Sequence, residues 1–126
     1  PAPMLLYSPD LILLYANAAY ERMIARPATD LVGRYMFDAF PPGPGGDATS
    51  ARAMIEETVA RMRADPEAVI EAEVQHNIPN EAGEYEDRFW AISQWAIHDA
   101  GEFVAVLQQA DEGTARVRHQ RLSAAV

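Results

Sequence analysis

The hydrophobic pattern divides the chain into a strand-like beginning, a helical middle and a strand-like end. Met4 to Tyr7 and Leu11 to Tyr15 are short apolar runs around Ser8-Pro9-Asp10, a turn-forming cluster, and they predict two strands. Leu11-Ile12-Leu13-Leu14 is apolar on both parities, which predicts a central strand. Asn17 follows as a helix N-cap, its side-chain oxygen able to accept from an early backbone N–H. Tyr20, Met23 and Ile24 then recur at helical spacing, with Glu21 near the first turn and Arg22 and Arg26 near the last, where the helix dipole favours them. Pro27 ends this helix. Thr29 is placed to cap a short turn, Asp30-Leu31-Val32, that Gly33 closes in the left-handed conformation.

Tyr35 to Phe40 reads as a short helical piece carrying Tyr35, Met36, Phe37 and Phe40. Pro41 to Gly46 is the strongest break and predicts a loop. Ser50 to Ala64 is the longest expected helix, with Ile55, Thr58, Val59 and Met62 as its buried stripe. Val69 to Ile78 alternates with period two. Glu71, Glu73, Gln75 and Asn77 fall on one face, and Ile70, Ala72, Val74, His76 and Ile78 on the other. A hairpin loop at Asn80 to Glu84, a long strand from Tyr85 to Ile97, a turn at Asp99-Ala100-Gly101 and a last strand from Phe103 to Gln109 complete the pattern. Ala115 to Val126 reads as a polar tail with helical character. This order predicts an α+β domain, a five-stranded antiparallel sheet with helices on one face.

Composition narrows the chemistry. The length of 126 residues suits one domain, expected over residues 1–114, with 115–126 as a tail or the start of a connector helix. The opening on Pro1 suggests a part of something longer. There is no cysteine, which excludes disulfides, a thiolate metal site and a thiol nucleophile. The net charge of −9 argues against nucleic acid and anionic lipid as partners. No apolar run approaches the ~20 residues of a membrane span, so no membrane insertion is expected.

Three stretches resemble the PAS sensory domain family. Tyr15-Ala16-Asn17-Ala18-Ala19-Tyr20 is similar to that family's strand ending in Asn-x-Ala-aromatic. Leu31-Val32-Gly33-Arg34 followed by Tyr35 to Phe40 resembles its Leu-Val-Gly-Arg turn and aromatic helix. Asp99-Ala100-Gly101 with Phe103 to Val106 is similar to its Asp-x-Gly turn and final strand. Asp111 and Thr114 stand one position further apart than in the family's closing Asp-Ile-Thr. The resemblance implies a sheet cupping a pocket, and a non-enzymatic, cytoplasmic module of a bacterial signalling protein. Such a module senses a small molecule or mediates homodimerisation, and passes the change to an output domain of the same polypeptide, in a two-component system for instance. The alternative from another class is a small cone-fold enzyme of the isomerase or hydratase kind.

Candidate pocket residues follow. His76, on the apolar parity of its strand, either meets a ligand or satisfies a backbone group near the strand end. Phe40, Met36, Ile55, Val59 and Met62 form the expected helical wall. Gln109 shares parity with Phe103 and Leu107 and resembles the inward glutamine of the light-sensing subfamily. Trp90 and Trp95 stand at odd separation, so one is expected in the core and the other on the outer sheet. The ligand is unassigned. The absent cysteine removes a flavin-cysteinyl adduct, and the histidine-free long helix argues against haem.

Overall fold

The computed structural model describes residues 2–41, 48–77 and 79–113. The expected loop after Pro41, Ile78, and the tail beyond Gly113 lie outside the described residues. Five strands, β1 (Met4–Tyr7), β2 (Leu13–Ala16), β3 (Val69–Gln75), β4 (Phe89–Asp99) and β5 (Glu102–Glu112), form one antiparallel sheet in the order β2-β1-β5-β4-β3. The helices α1 (Ala18–Ile24), α2 (Met36–Ala39) and α3 (Ala48–Ala64) intervene between β2 and β3, with a 3-10 turn at Ala28–Asp30. The core lies between these helices and one face of the sheet, and includes Leu5, Tyr7, Ile24, Met36, Met62 and Val106.

Asn17 acts as expected and does more. Its Oδ1 accepts from Tyr20 N at 2.9 Å and from Met4 N at 3.0 Å, while its Nδ2 donates to Ala2 O at 2.9 Å. One side chain thus starts α1 and holds the entering chain against it. The helix ends before Pro27, at Ala25, in the left-handed region at φ 58°. Thr29 caps nothing: it lies inside the 3-10 turn, which Pro27 precedes without a side-chain cap. Glu21 serves that turn instead, its Oε2 accepting from Ala28 N at 2.6 Å.

The expected central strand is the edge strand β2. Leu11 lies in the preceding turn at φ 65°, yet is buried, while Leu14 and Tyr15 are exposed. The run is apolar on both parities because two different surfaces use it. Its outer edge is covered by the backbone of 33–36, through Gly33 N to Leu13 O at 2.8 Å, Leu13 N to Arg34 O at 2.9 Å and Met36 N to Leu11 O at 2.8 Å. Gly33, at φ 88°, supplies the turn for that return.

Two bulges interrupt the alternation. Leu6 pairs with Tyr15 and Tyr7 with Leu13, leaving Leu14 without a partner across the ladder. Ile97 pairs with Ala105 and His98 with Phe103, leaving Val104 in the same position. Each bulge shifts the parity of the residues beyond it. At the far edge, β3 ends at Gln75, and the expected strand from Tyr85 begins only at Phe89. Asn77, expected on the solvent face, is buried: its Oδ1 accepts from Arg88 N at 2.8 Å and its Nδ2 donates to Asp87 at 3.2 Å. Such a buried amide must find partners, and it closes the β3–β4 connection by doing so.

Asn17→Ala removes three hydrogen bonds at once and is expected to cost about 2 kcal/mol, lowering Tm by roughly 8 °C in a thermal melt. Ala25→Gly relieves the left-handed residue and is expected to add about 0.5–1 kcal/mol by the same measurement.

Candidate functional site

Between the inner sheet face and the helices lies a cavity of about 80 Å³. The sheet contributes Leu5, Val74, Trp90, Ile92, Gln108 and Ala110. The helical side contributes Tyr20 and Ile24 from α1, Met36, Phe37 and Phe40 around α2, and Ala51, Met54 and Ile55 from α3. Of the residues expected at the pocket, Met36, Phe40, Ile55, His76 and Trp90 line it. Val59 and Met62 are buried in the surrounding core but do not reach it.

Gln109 is a correction. It pairs with Ser93 on the outer face, and the inward glutamine is its neighbour Gln108, opposite Gln94. The parity argument failed because it crossed the Val104 bulge. Phe103 packs against the core before the bulge, and Val106, Gln108 and Ala110 are the inward residues after it.

Gln108 belongs to a buried polar network. Its Nε2 donates to Gln94 Oε1 at 3.1 Å, and the Tyr7 hydroxyl donates to the same oxygen at 2.5 Å. Gln94 Nε2 in turn donates to Thr58 Oγ1 at 3.3 Å, and that hydroxyl donates to Met54 O at 3.0 Å. Strands β1, β4 and β5 are thereby tied to α3. Burial pushes the Tyr7 phenol well above its ordinary pKa of 10.0. Burial does the same to Tyr20, and the nearby Arg26 and Arg88 guanidiniums pull it back only in part.

His76 sits just past β3. Its Nε2 lies 2.9 Å from Phe40 O, its ring meets Phe37 edge-on, and its own carbonyl accepts from Trp90 Nε1 at 2.8 Å. The backbone group it satisfies is distant in sequence, so the imidazole pins the end of α2 to the sheet. Its buried Nδ1 has no partner among the described residues. Three guanidiniums stand over rings of the lining without entering it: Arg26 at 5.5 Å from Phe40, Arg52 at 5.3 Å from Phe37 and Arg88 at 4.6 Å from Trp90.

The outer face presents a different surface. Trp95 projects there, opposite to Trp90, as the odd separation predicts. Register aligns Val69, Trp95, Leu107, Leu6 and Tyr15 in one row crossing all five strands. Val69 and Tyr15 at its two ends are about half exposed, at 52 % and 54 %.

Comparison with known proteins accords with this architecture. A family model described as PAS fold matches residues 1–118. Among solved structures the chain is similar to a variant of RsLOV, at 14 % identity and TM-score 0.65, covering 88 % of this chain and 58 % of that one. It is similar to the PAS domain of Bordetella pertussis BvgS, at 18 % identity and TM-score 0.62, covering 100 % of this chain and 90 % of that one. It is similar too to the light-state dimer of the fungal blue-light photoreceptor Vivid, at 17 % identity and TM-score 0.62, covering 88 % and 77 %. No curated protein matches the chain in sequence. The cone-fold alternative gives way to this match. The cavity fits a cysteinyl-flavin poorly: the chain has no thiol, and the space is far below the ~300 Å³ of pockets for drug-sized ligands.

The raised phenols give a pH dependence with a definite sign. Tyrosines of the unfolded chain ionise near their ordinary value of 10.0, while Tyr7 and Tyr20 stay protonated in the fold. The folded state then holds more protons, so stability is full below pH 10 and falls as pH rises above it. Urea midpoints between pH 9 and pH 11.5 are expected to fall steeply, and less steeply in Tyr7→Phe. Gln94→Leu leaves Tyr7, Gln108 and Thr58 without their shared partner and is expected to cost about 2–4 kcal/mol in urea unfolding.

Proposed function

The chain belongs to the PAS-fold family, and from that premise we propose that it is the input module of a bacterial signal-transduction protein. A small molecule occupies the inner cavity, and the change passes through the sheet to an output domain of the same polypeptide. The observation that supports this most is that cavity wall and outer face are built on the same strands. On β5, Gln108 borders the cavity while its neighbour Leu107 lies in the outer apolar row; on β4, Trp90 and Trp95 divide in the same way. A ligand that repacks the wall therefore moves residues of the outer surface, provided it binds one arrangement better than the other. No helix among the described residues is long and apolar enough to cross a membrane, and cytoplasmic action is part of the same proposal.

The outer row is the face on which a second copy docks. An apolar band across every strand, with an aromatic side chain near its middle, suits a self-complementary interface. That similar structures include a light-state dimer favours the same reading.

Native mass spectrometry tests both halves. A dimer carrying a copurified small molecule is the expected species. An empty monomer would sink the proposal. Leu107→Glu places a charge in the row and is expected to shift sedimentation from dimer to monomer while leaving the circular-dichroism spectrum unchanged. A variant that stays dimeric moves the interface elsewhere.

A further inference from the structure

We propose that the Tyr20 hydroxyl is the anchoring group of the cavity, and that it donates to the carbonyl oxygen of a neutral, apolar-bodied ligand, a simple ketone being the type. The inference rests on reading the cavity as the input site, and it names the chemistry of what enters.

Tyr20 lines the cavity and is 6 % exposed. Its backbone N–H serves the Asn17 cap, and its ring meets Phe40 edge-on at 6.4 Å. Its hydroxyl has no hydrogen-bond partner among the described residues, although a buried phenol ordinarily finds one. The hydroxyl is also within reach of a ligand. His76 Nδ1 is the unpartnered side-chain atom that is sealed off among the described residues, so it takes no part in binding. The Tyr20 oxygen is unpartnered without being sealed. Burial raises its pKa above the ordinary 10.0, so the space it meets is the enclosed one.

The surroundings fix how the hydroxyl is used. Arg26 and Arg88 are the cations that act on it. Neither lines the cavity: Arg26 stands over Phe40 and donates to Ala39 O, and Arg88 stands over Trp90 and donates to Met23 O. The carboxylates beside them in the chain are engaged elsewhere, Glu21 with Ala28 N and Asp87 with Gln75 and Asn77. Two positive groups outside the lining draw the lone pairs of the phenol oxygen towards themselves and leave its hydrogen for the cavity. The partner is then an acceptor. A full negative charge makes a poor one. At this oxygen the cost of burial outweighs both guanidiniums, and no arginine lines the cavity. Gln108 donates through Nε2 to Gln94, and its Oε1, without a partner among the described residues, is an acceptor that repels a carboxylate. A carbonyl presents the negative end of a dipole and carries no net charge. Ile24, Met36, Phe37, Ile55 and Ile92 receive its apolar body.

The probes are three molecules of one shape: acetophenone, α-methylstyrene, in which a methylene replaces the carbonyl oxygen, and benzoate, which carries the charge. Each is titrated into the purified chain by calorimetry. Saturable binding of acetophenone is expected, with Kd on the order of 0.1–1 mM for so small a ligand. The alkene should bind roughly two- to tenfold more weakly, and benzoate more weakly still. The carbonyl stretch of bound ¹³C-labelled acetophenone should lie at lower wavenumber in the wild type than in Tyr20→Phe. That variant keeps the ring and removes only the unpartnered hydroxyl, so its Tm should hold or rise while the preference for ketone over alkene disappears. Equal affinities for ketone and alkene in the wild type would overturn the role of Tyr20, and this comparison needs no variant to fold. A fall in the Tm of Tyr20→Phe, or a carbonyl stretch it leaves unchanged, would overturn that role too. Preferential binding of benzoate would overturn the ligand class and leave the sensor reading intact. Binding of none of the three overturns the inference; only the absence of any copurified molecule in native mass spectrometry takes the sensor reading with it.

Discussion

The carboxamide of Gln94 is the constraint on which the rest of the domain turns. It lies fully buried in the middle of an apolar core, where an unpaired amide is expensive. Its oxygen is shared by Tyr7 from β1 and Gln108 from β5, and its nitrogen reaches Thr58 on α3. These groups meet only when three strands and the long helix hold one mutual register. Hydrophobic burial would tolerate a small slide of α3 over the sheet; the amide would not. The helical wall of the cavity is therefore located by polar contacts beside it, while its apolar residues supply the area.

Much of this was readable before any coordinates. The Asn17 cap, the aromatic turn at Met36–Ala39, the buried stripe of α3 and the division of Trp90 from Trp95 all follow from local chemistry or strict periodicity. Parity misassigned Gln109 beyond a bulge, and Asn77 beyond the end of β3, where the pleat no longer holds. An inserted residue such as Leu14 or Val104 is apolar like its neighbours, so nothing in composition marks the slip, and strict alternation points to Gln109 where the fold turns Gln108 inward. The centrality given to Leu11–Leu14 failed for another reason. An edge strand flanked by a returning backbone segment is covered much as a central one is, and its sequence reads accordingly. Long-range polar partners such as Gln94 with Tyr7, 87 positions apart, have no local signature at all.

The cavity wall also shows how an acidic chain places its few cations. Arg26, Arg52 and Arg88 lie over aromatic faces, and Arg26 and Arg88 also donate to the carbonyls of Ala39 and Met23. The Met23 carbonyl stands at the C-terminal end of α1, where the helix dipole favours a positive group. Charge at this site is used to fasten helix ends and rings together, and the described lining of the cavity is apolar apart from Tyr20, His76, Trp90 and Gln108.

The pairing of β1 with β5 brings the entering and leaving chain together. Pro3 O accepts from Ala110 N, Met4 lies opposite Gln109, and the chain runs out past Gly113 beside Phe89. A tensile load drawn between residues 3 and 113 would act across that ladder and meet its hydrogen bonds one pair after another, as a zip opens, rather than shearing them together. Mechanically, then, the seam between β1 and β5 is the compliant joint of the domain, and a slight strain on either flank is felt first within a few residues of Gln108.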